Sequence, residues 1–223
     1  KVWSVESGEC VTTLAGHSSD VTSVSFSPDG ASIVSGSDDK TVKVWSVESG
    51  ECVTTFNGHS SAVSSVSFSP DGASIVSGSW DKTVKVWSVE SGECVTTFEG
   101  HSSYVFSVSF SPDGASIVSG SRDKTVKVWS VESGECVTTF NGHSSAVSSV
   151  SFSPDGASIV SGSWDKTVKV WSVESGECVT TFEGHSSYVF SVSFSPDGAS
   201  IVSGSRDKTV KVWSVESGEC VTT

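Results

Sequence analysis

Apolar and polar residues alternate along the chain in runs of five to seven, and no window sustains a 3.6-residue period. Val21–Ser27 (VTSVSFS) ends in Pro28-Asp29-Gly30, and Ala31–Ser37 (ASIVSGS) ends in Asp38-Asp39-Lys40. Thr41–Val47 (TVKVWSV) ends in Glu48-Ser49-Gly50-Glu51, and Cys52–Phe56 (CVTTF) ends in Asn57-Gly58. Val, Thr, Phe and Trp suit a pleated, half-buried surface. The residues that close each run favour tight turns. The pattern predicts four short antiparallel strands, a to d, and almost no helix.

The same pattern then recurs. Tryptophans stand at 3, 45, 87, 129, 171 and 213, a strict period of 42. Residues 1–13 return letter for letter at 211–223, and residues 56–139 return at 140–223. The chain divides into a surplus c–d half blade, 1–13, and five a–b–c–d units at 14–55, 56–97, 98–139, 140–181 and 182–223. One such meander carries apolar groups on both faces: Val21, Val24, Phe26, Ile33, Val34, Val42, Val44 and Trp45. Sheets stacked face to face around an axis bury both. The expected fold is all-β, a β-propeller of five complete four-stranded antiparallel blades plus an N-terminal half blade. A β-solenoid is the alternative architecture, but its coils are usually shorter than this repeat.

Composition narrows the function. Serine fills about a quarter of the 223 residues, and the formal net charge is −13, from 13 basic against 26 acidic side chains. Phosphate neutralisation needs clustered Lys and Arg, so nucleic acid and anionic membrane are poor partners. No apolar run approaches the roughly 18 residues of a membrane helix. The first residue is Lys1, without methionine or signal peptide; the start reads as trimmed, and no compartment follows from it. The six cysteines (10, 52, 94, 136, 178 and 220) are one repeated position, with no CxxC spacing. They read as free thiols, without metal or cofactor, and favour a reducing compartment such as the cytoplasm.

GH, then strands, then SPDG, then SGSxDKTVKVW resembles the WD-repeat β-propeller family over the whole chain. The resemblance implies a hydrogen-bonded tetrad of His, Ser, Asp and Trp in each blade. The matching sets are His17, Ser35, Asp39, Trp45; His59, Ser77, Asp81, Trp87; His101, Ser119, Asp123, Trp129; His143, Ser161, Asp165, Trp171; and His185, Ser203, Asp207, Trp213. The family's Asp after the tetrad Trp is Ser here, as in Trp45-Ser46. Ser, His and Asp also invite a hydrolase reading. Five equal sets would mean five active sites, so a structural role and no enzymatic activity are expected. The glycines of SPDG, SGS and ESGE sit in strand turns and open no helix, which excludes a phosphate loop.

Only five of the 42 columns differ between units: Leu14/Phe56/Phe98, Ala15/Asn57/Glu99, Asp20/Ala62/Tyr104, Thr22/Ser64/Phe106 and Asp38/Trp80/Arg122. In an antiparallel meander the d–a loop and the b–c turn share one rim, and the columns at 15, 20, 22 and 38 flank it. The resemblance makes that rim the ligand-facing surface. Candidate binding residues are Asp20, Asp38, Trp80, Tyr104, Phe106, Arg122, Trp164, Tyr188, Phe190 and Arg206. Tyr, Trp and Arg dominate interface energetics. Trp80 and Trp164 are expected to be mostly exposed, and the tetrad tryptophans buried between blades; packing between blades is the competing role for Phe106 and Phe190.

A protein or peptide partner fits this rim best, and a sugar stacked on Trp is a further possibility. The alternative is a repeat protein without a ligand of its own, an excerpt of an amplified array or a consensus design, that self-assembles. Five and a half blades fall below the seven usual in the family. A spare hairpin at 1–13 has unpaired edges, and either copy of its sequence can complete the a–b pair at 185–208. The expectation is a homo-oligomer, in the simplest case a dimer, held by blade packing or strand exchange.

Overall fold

The computed structural model describes all 223 residues and contains strands and turns but no helix. A hairpin of β1 (Val2–Trp3) and β2 (Cys10–Thr12) precedes five four-stranded antiparallel sheets. Blade 1 is β3 (Val21–Phe26), β4 (Ser32–Ser37), β5 (Val42–Ser46) and β6 (Cys52–Phe56). Blade 2 is β7 (Val63–Phe68), β8 (Ser74–Ser79), β9 (Val84–Ser88) and β10 (Cys94–Phe98). Blade 3 is β11 (Val105–Phe110), β12 (Ser116–Ser121), β13 (Val126–Ser130) and β14 (Cys136–Phe140). Blade 4 is β15 (Val147–Phe152), β16 (Ser158–Ser163), β17 (Val168–Ser172) and β18 (Cys178–Phe182). Blade 5 is β19 (Val189–Phe194), β20 (Ser200–Ser205), β21 (Val210–Ser214) and β22 (Cys220–Thr222). In each sheet neighbours in sequence are neighbours in space.

Two local devices shape every blade. Asp29 accepts from the Ser27 hydroxyl and the Ala31 N–H, which fixes the SPDG turn between strands a and b. At the b–c turn Lys40, Lys82, Lys124, Lys166 and Lys208 adopt φ between 72° and 76°, left-handed backbone that Asp-Lys does not advertise in sequence.

The cores lie between the blades. Val34, Val42, Val44 and Phe56 of blade 1 pack against Val63, Val66, Phe68, Ile75 and Trp87 of blade 2. The equivalent residues join blades 2 and 3, 3 and 4, and 4 and 5. Gly78 lies where strand b of one blade meets strand a of the next: a Cβ there would stand 2.8 Å from the γ-methyls of Val105 and Val108. Polar bonds cross the same interface, since Ser65 Oγ accepts from the Val108 N–H.

Four cores join five blades, and none closes blade 5 on blade 1. The expectation that stacking buries both faces of every blade therefore fails at the two ends. Val21, Val24 and Phe26 of blade 1 are exposed, as are Val202 and Val210 of blade 5, because no neighbouring sheet covers them. Residues 210–222 complete blade 5, and residues 1–13 form a separate hairpin with Trp3 exposed.

Candidate functional site

Each blade carries one chain of hydrogen bonds built from the d–a loop, strand b, the b–c turn and strand c. In blade 2, Trp87 Nε1 donates to Ser77 Oγ at 2.8 Å. Ser77 Oγ lies 2.7 Å from His59 Nε2, and His59 Nδ1 lies 2.7 Å from Asp81 Oδ2. One proton assignment satisfies all of these atoms: Ser77 donates to a neutral His59 at Nε2, and His59 Nδ1–H donates to Asp81. Asp81 also accepts from the Ser60 N–H, the Thr83 N–H and the Thr83 hydroxyl. Burial disfavours the Asp81 carboxylate, yet the bonds from His59 and Thr83 outweigh it and hold the carboxyl well below its ordinary value of 3.8. Asp39, Asp123 and Asp165 share this balance. At Asp207 the Thr209 bond is the largest influence, and the direction is the same.

The same contacts join His17, Ser35, Asp39 and Trp45 in blade 1. They join His101, Ser119, Asp123 and Trp129 in blade 3. In blade 4 they join His143, Ser161, Asp165 and Trp171, and in blade 5 His185, Ser203, Asp207 and Trp213. The linkage Ser Oγ to His Nε2 and His Nδ1 to Asp has the connectivity of a hydrolytic triad. Ser77, however, is fully buried and its oxygen already accepts the indole N–H, so an acyl group has no line of approach. What the chain of bonds can do is tie two loops of the rim to the sheet below them.

Above the tetrads the variable side chains form stacks that cross blade boundaries. Trp80 of blade 2 stacks on Tyr104 of blade 3, with ring centroids 5.2 Å apart and planes 11° apart. The Arg122 guanidinium sits 5.4 Å from the Tyr104 ring centre, within cation–π range. Phe106 of blade 3 stacks on Trp164 of blade 4 at 5.5 Å, and Arg206 covers Tyr188 at 5.5 Å. Backbone bonds hold this layer: the Trp80 N–H donates to Ala62 O and the Arg122 N–H to Tyr104 O. Phe190 is exposed, and Asp20 and Asp38 stand exposed on blade 1.

Trp80 is 42% exposed and Trp164 is half-buried, so neither is mostly exposed as the sequence suggests, and the two differ. The reason is the preceding blade, which offers Phe106 to Trp164 but only Thr22 to Trp80. Trp164 Nε1 is enclosed without an acceptor. The column at 22 explains the difference further. Strand a pairs Val21 with Ser37 and Ser23 with Gly36, so residue 22 is the extra residue of a β-bulge. There Thr22 Oγ1 donates to Gly36 O and to Val63 O of the next blade. Ser64 and Ser148 repeat that inter-blade bond. Phe at the same bulge gives it up and reaches the rim instead.

No group of three or more His, Cys, Asp or Glu side chains that could hold a metal ion is present, and the six cysteines are free and exposed. A cavity of about 320 Å³ opens on the opposite rim, where Phe68, Pro70 and their equivalents converge, but all of its lining is repeated in every blade.

Five near-identical four-stranded blades, each stapled by a His–Asp–Ser–Trp chain, define a repeat propeller of the WD type. Family models agree. "WD domain, G-beta repeat" matches residues 8–46 and 176–214, and "IFT122 first beta-propeller" matches residues 65–174. No curated protein matches the chain. The chain belongs to the WD-repeat β-propeller family, whose propellers generally serve as non-catalytic scaffolds for protein interactions.

Proposed function

We propose that the chain is a non-catalytic binding module whose aromatic and arginine rim receives a protein or peptide. The tetrads act as structural staples beneath that rim. The observation that carries this reading is the pair of cross-blade stacks, Trp80–Tyr104–Arg122 and Phe106–Trp164–Tyr188–Arg206. Flat rings held by neighbours lose little rotamer freedom on binding, and Arg122 and Arg206 supply exposed cations on an otherwise acidic chain. A segment with an apolar side chain next to a carboxylate has the complementary chemistry.

A peptide array and a glycan array, probed in parallel, test it. The expected result is capture by acidic-aromatic peptides, weakened at least tenfold by Trp80→Ala or Arg122→Ala with unchanged thermal melting. Capture by glycans alone would instead make the rim a lectin surface.

The second reading, a self-assembling repeat protein without a ligand, is favoured by a specific observation. Residues 56–139 and 140–223 are identical, as amplification or consensus design would leave them. In that reading the partner is a second copy and the product a homo-oligomer, in the simplest case a dimer. Silence on both arrays, with a mass above one chain, would favour it.

A further inference from the structure

Trp80 and Trp164 occupy the same column of the repeat, and their own blades are identical in sequence, residues 56–97 and 140–181. Each stacks one face on the tyrosine of the following blade, Tyr104 at 5.2 Å and Tyr188 at 5.4 Å. The opposite faces differ. Phe106, reaching over from blade 3, lies on Trp164 with ring centroids 5.5 Å apart and planes 28° apart. Blade 1 sets Thr22 in that position, a residue with one methyl where Phe106 has a ring, and its Oγ1 is engaged with Gly36 O and Val63 O. No ring of this chain stacks on the second face of Trp80, which is 42% exposed. Blade 2 packs on blade 1 at one side and on blade 3 at the other, so the notch is interior to the stack.

The notch has opposite charges at its two sides. Asp38 holds in blade 1 the column that Trp80 holds in blade 2, and it is exposed. Arg122, over Tyr104 in blade 3, is exposed as well. An acid, an open ring face and a base therefore follow one another across blades 1 to 3. Around Trp164 the same columns give Arg122 and Arg206, a base at either side.

We propose that the open face of Trp80 is a notch for one aromatic side chain of a peptide partner, seated as Phe106 is seated on Trp164. A basic residue of the peptide lies toward Asp38 and an acidic one toward Arg122. This rests on the peptide-binding reading of the rim and specifies where the peptide sits, which way round, and how many bind: one per chain, because Phe106 already fills the equivalent place.

The chain's own Phe106–Trp164 contact is the template for the occupant, within the range that offset rings prefer. Tyr104 holds Trp80 from behind, so little rotamer freedom is lost when a second ring arrives. Covering Trp164 also encloses its Nε1 without an acceptor. A peptide that brings a backbone carbonyl beside its ring supplies at Trp80 the acceptor that Phe106 does not supply at Trp164. Opposite charges at the two sides fix the direction of the peptide more than its affinity.

An array of random heptapeptides, probed with the 223-residue chain and two variants, decides. The wild type is expected to capture peptides with Phe or Tyr between a base and an acid, and calorimetry with the strongest of them should give one site per chain. Thr22→Phe supplies the missing ring from blade 1 and should weaken that binding at least tenfold. Phe already stands in this column at the bulges of blades 3 and 5, so the backbone accepts it. Without peptide, the same variant should lower acrylamide quenching of Trp80 to the level of Trp164, read as the difference from the Thr22→Phe, Trp80→Phe double variant. Asp38→Arg, which copies the charges around Trp164, should shift the captured set away from peptides that carry a base. Capture of no peptide overturns both the notch and the peptide-binding reading. Capture that is indifferent to Thr22→Phe, that selects peptides without an aromatic ring, or that gives two sites per chain keeps the reading and overturns the notch. Unchanged quenching of Trp80 in Thr22→Phe overturns the notch as well.

Discussion

The indole of Trp164 lies over the phenol ring of Tyr188, with centroids 5.4 Å apart and planes 18° apart, although the two belong to different blades. Phe106 covers the other face of Trp164 from a third blade. The rim is therefore a surface of inter-blade stacks, and its ring positions depend on blade spacing, which the apolar interfaces between blades hold.

Tryptophan accessibility follows from this layering. Acrylamide should reach Trp3 and Trp80 readily, Trp164 partially, and the five tetrad tryptophans least. Phe106→Ala should raise quenching of Trp164 and leave Trp80 unchanged. Comparison of that variant with its Trp164→Phe double variant reads the effect directly.

His59→Ala should destabilise the fold by about 1–3 kcal/mol, because it removes one donor to the buried Asp81 carboxylate and leaves the buried Ser77 hydroxyl without its acceptor. Urea unfolding measures the loss. A neutral result would mean that the staple in blade 2 contributes nothing to stability.

The tetrad aspartates set an acid limb. Their folded carboxyls titrate below the ordinary 3.8, so the unfolded chain binds more protons at low pH. Their contribution is fully present above about pH 4 and is lost as pH falls below the ordinary carboxylate value. Calorimetry from pH 6 downward should find melting temperature falling in the acid range. Asp81→Asn, less stable at neutral pH, should have a shallower acid limb than the parent.

Gly78→Ala should cost about 1–3 kcal/mol, because a methyl there meets two valine side chains of the next blade. Chemical denaturation of that single variant suffices as a check. The same change at Gly204 should leave unfolding of the isolated chain unaltered, since nothing lies nearby.

Lys82 holds φ near 74°, a conformation that costs a side chain roughly 1–2 kcal/mol. Lys82→Gly relieves that strain while loosening the unfolded chain, so unfolding free energy should stay level or rise by about 1 kcal/mol at most. A marked loss in urea titration would mean that the Lys82 side chain has a supporting role.

The alternation in VTSVSFS and TVKVWSV, closed by turn residues, was enough to determine strands, their order and the blade as a unit, because period and turn chemistry are local. The set His59, Ser77, Asp81 and Trp87 was legible only through the resemblance to WD repeats, because nearly every column recurs every 42 residues and the period alone singles out none. Tertiary structure decided which faces of those blades are covered. Sequence makes Val24 and Val66 equals, but burial depends on whether another sheet arrives, and none reaches Val24. It likewise decided that residue 22 sits on a bulge, that Lys82 is left-handed, and that Trp164 is sandwiched while Trp80 is open. The bulge and the left-handed turn lie within one repeat, but strand register and turn geometry are not encoded by alternation alone; the burial of Val66 and the stacking on Trp164 depend on side chains of neighbouring repeats, which a repeat unit read alone does not contain.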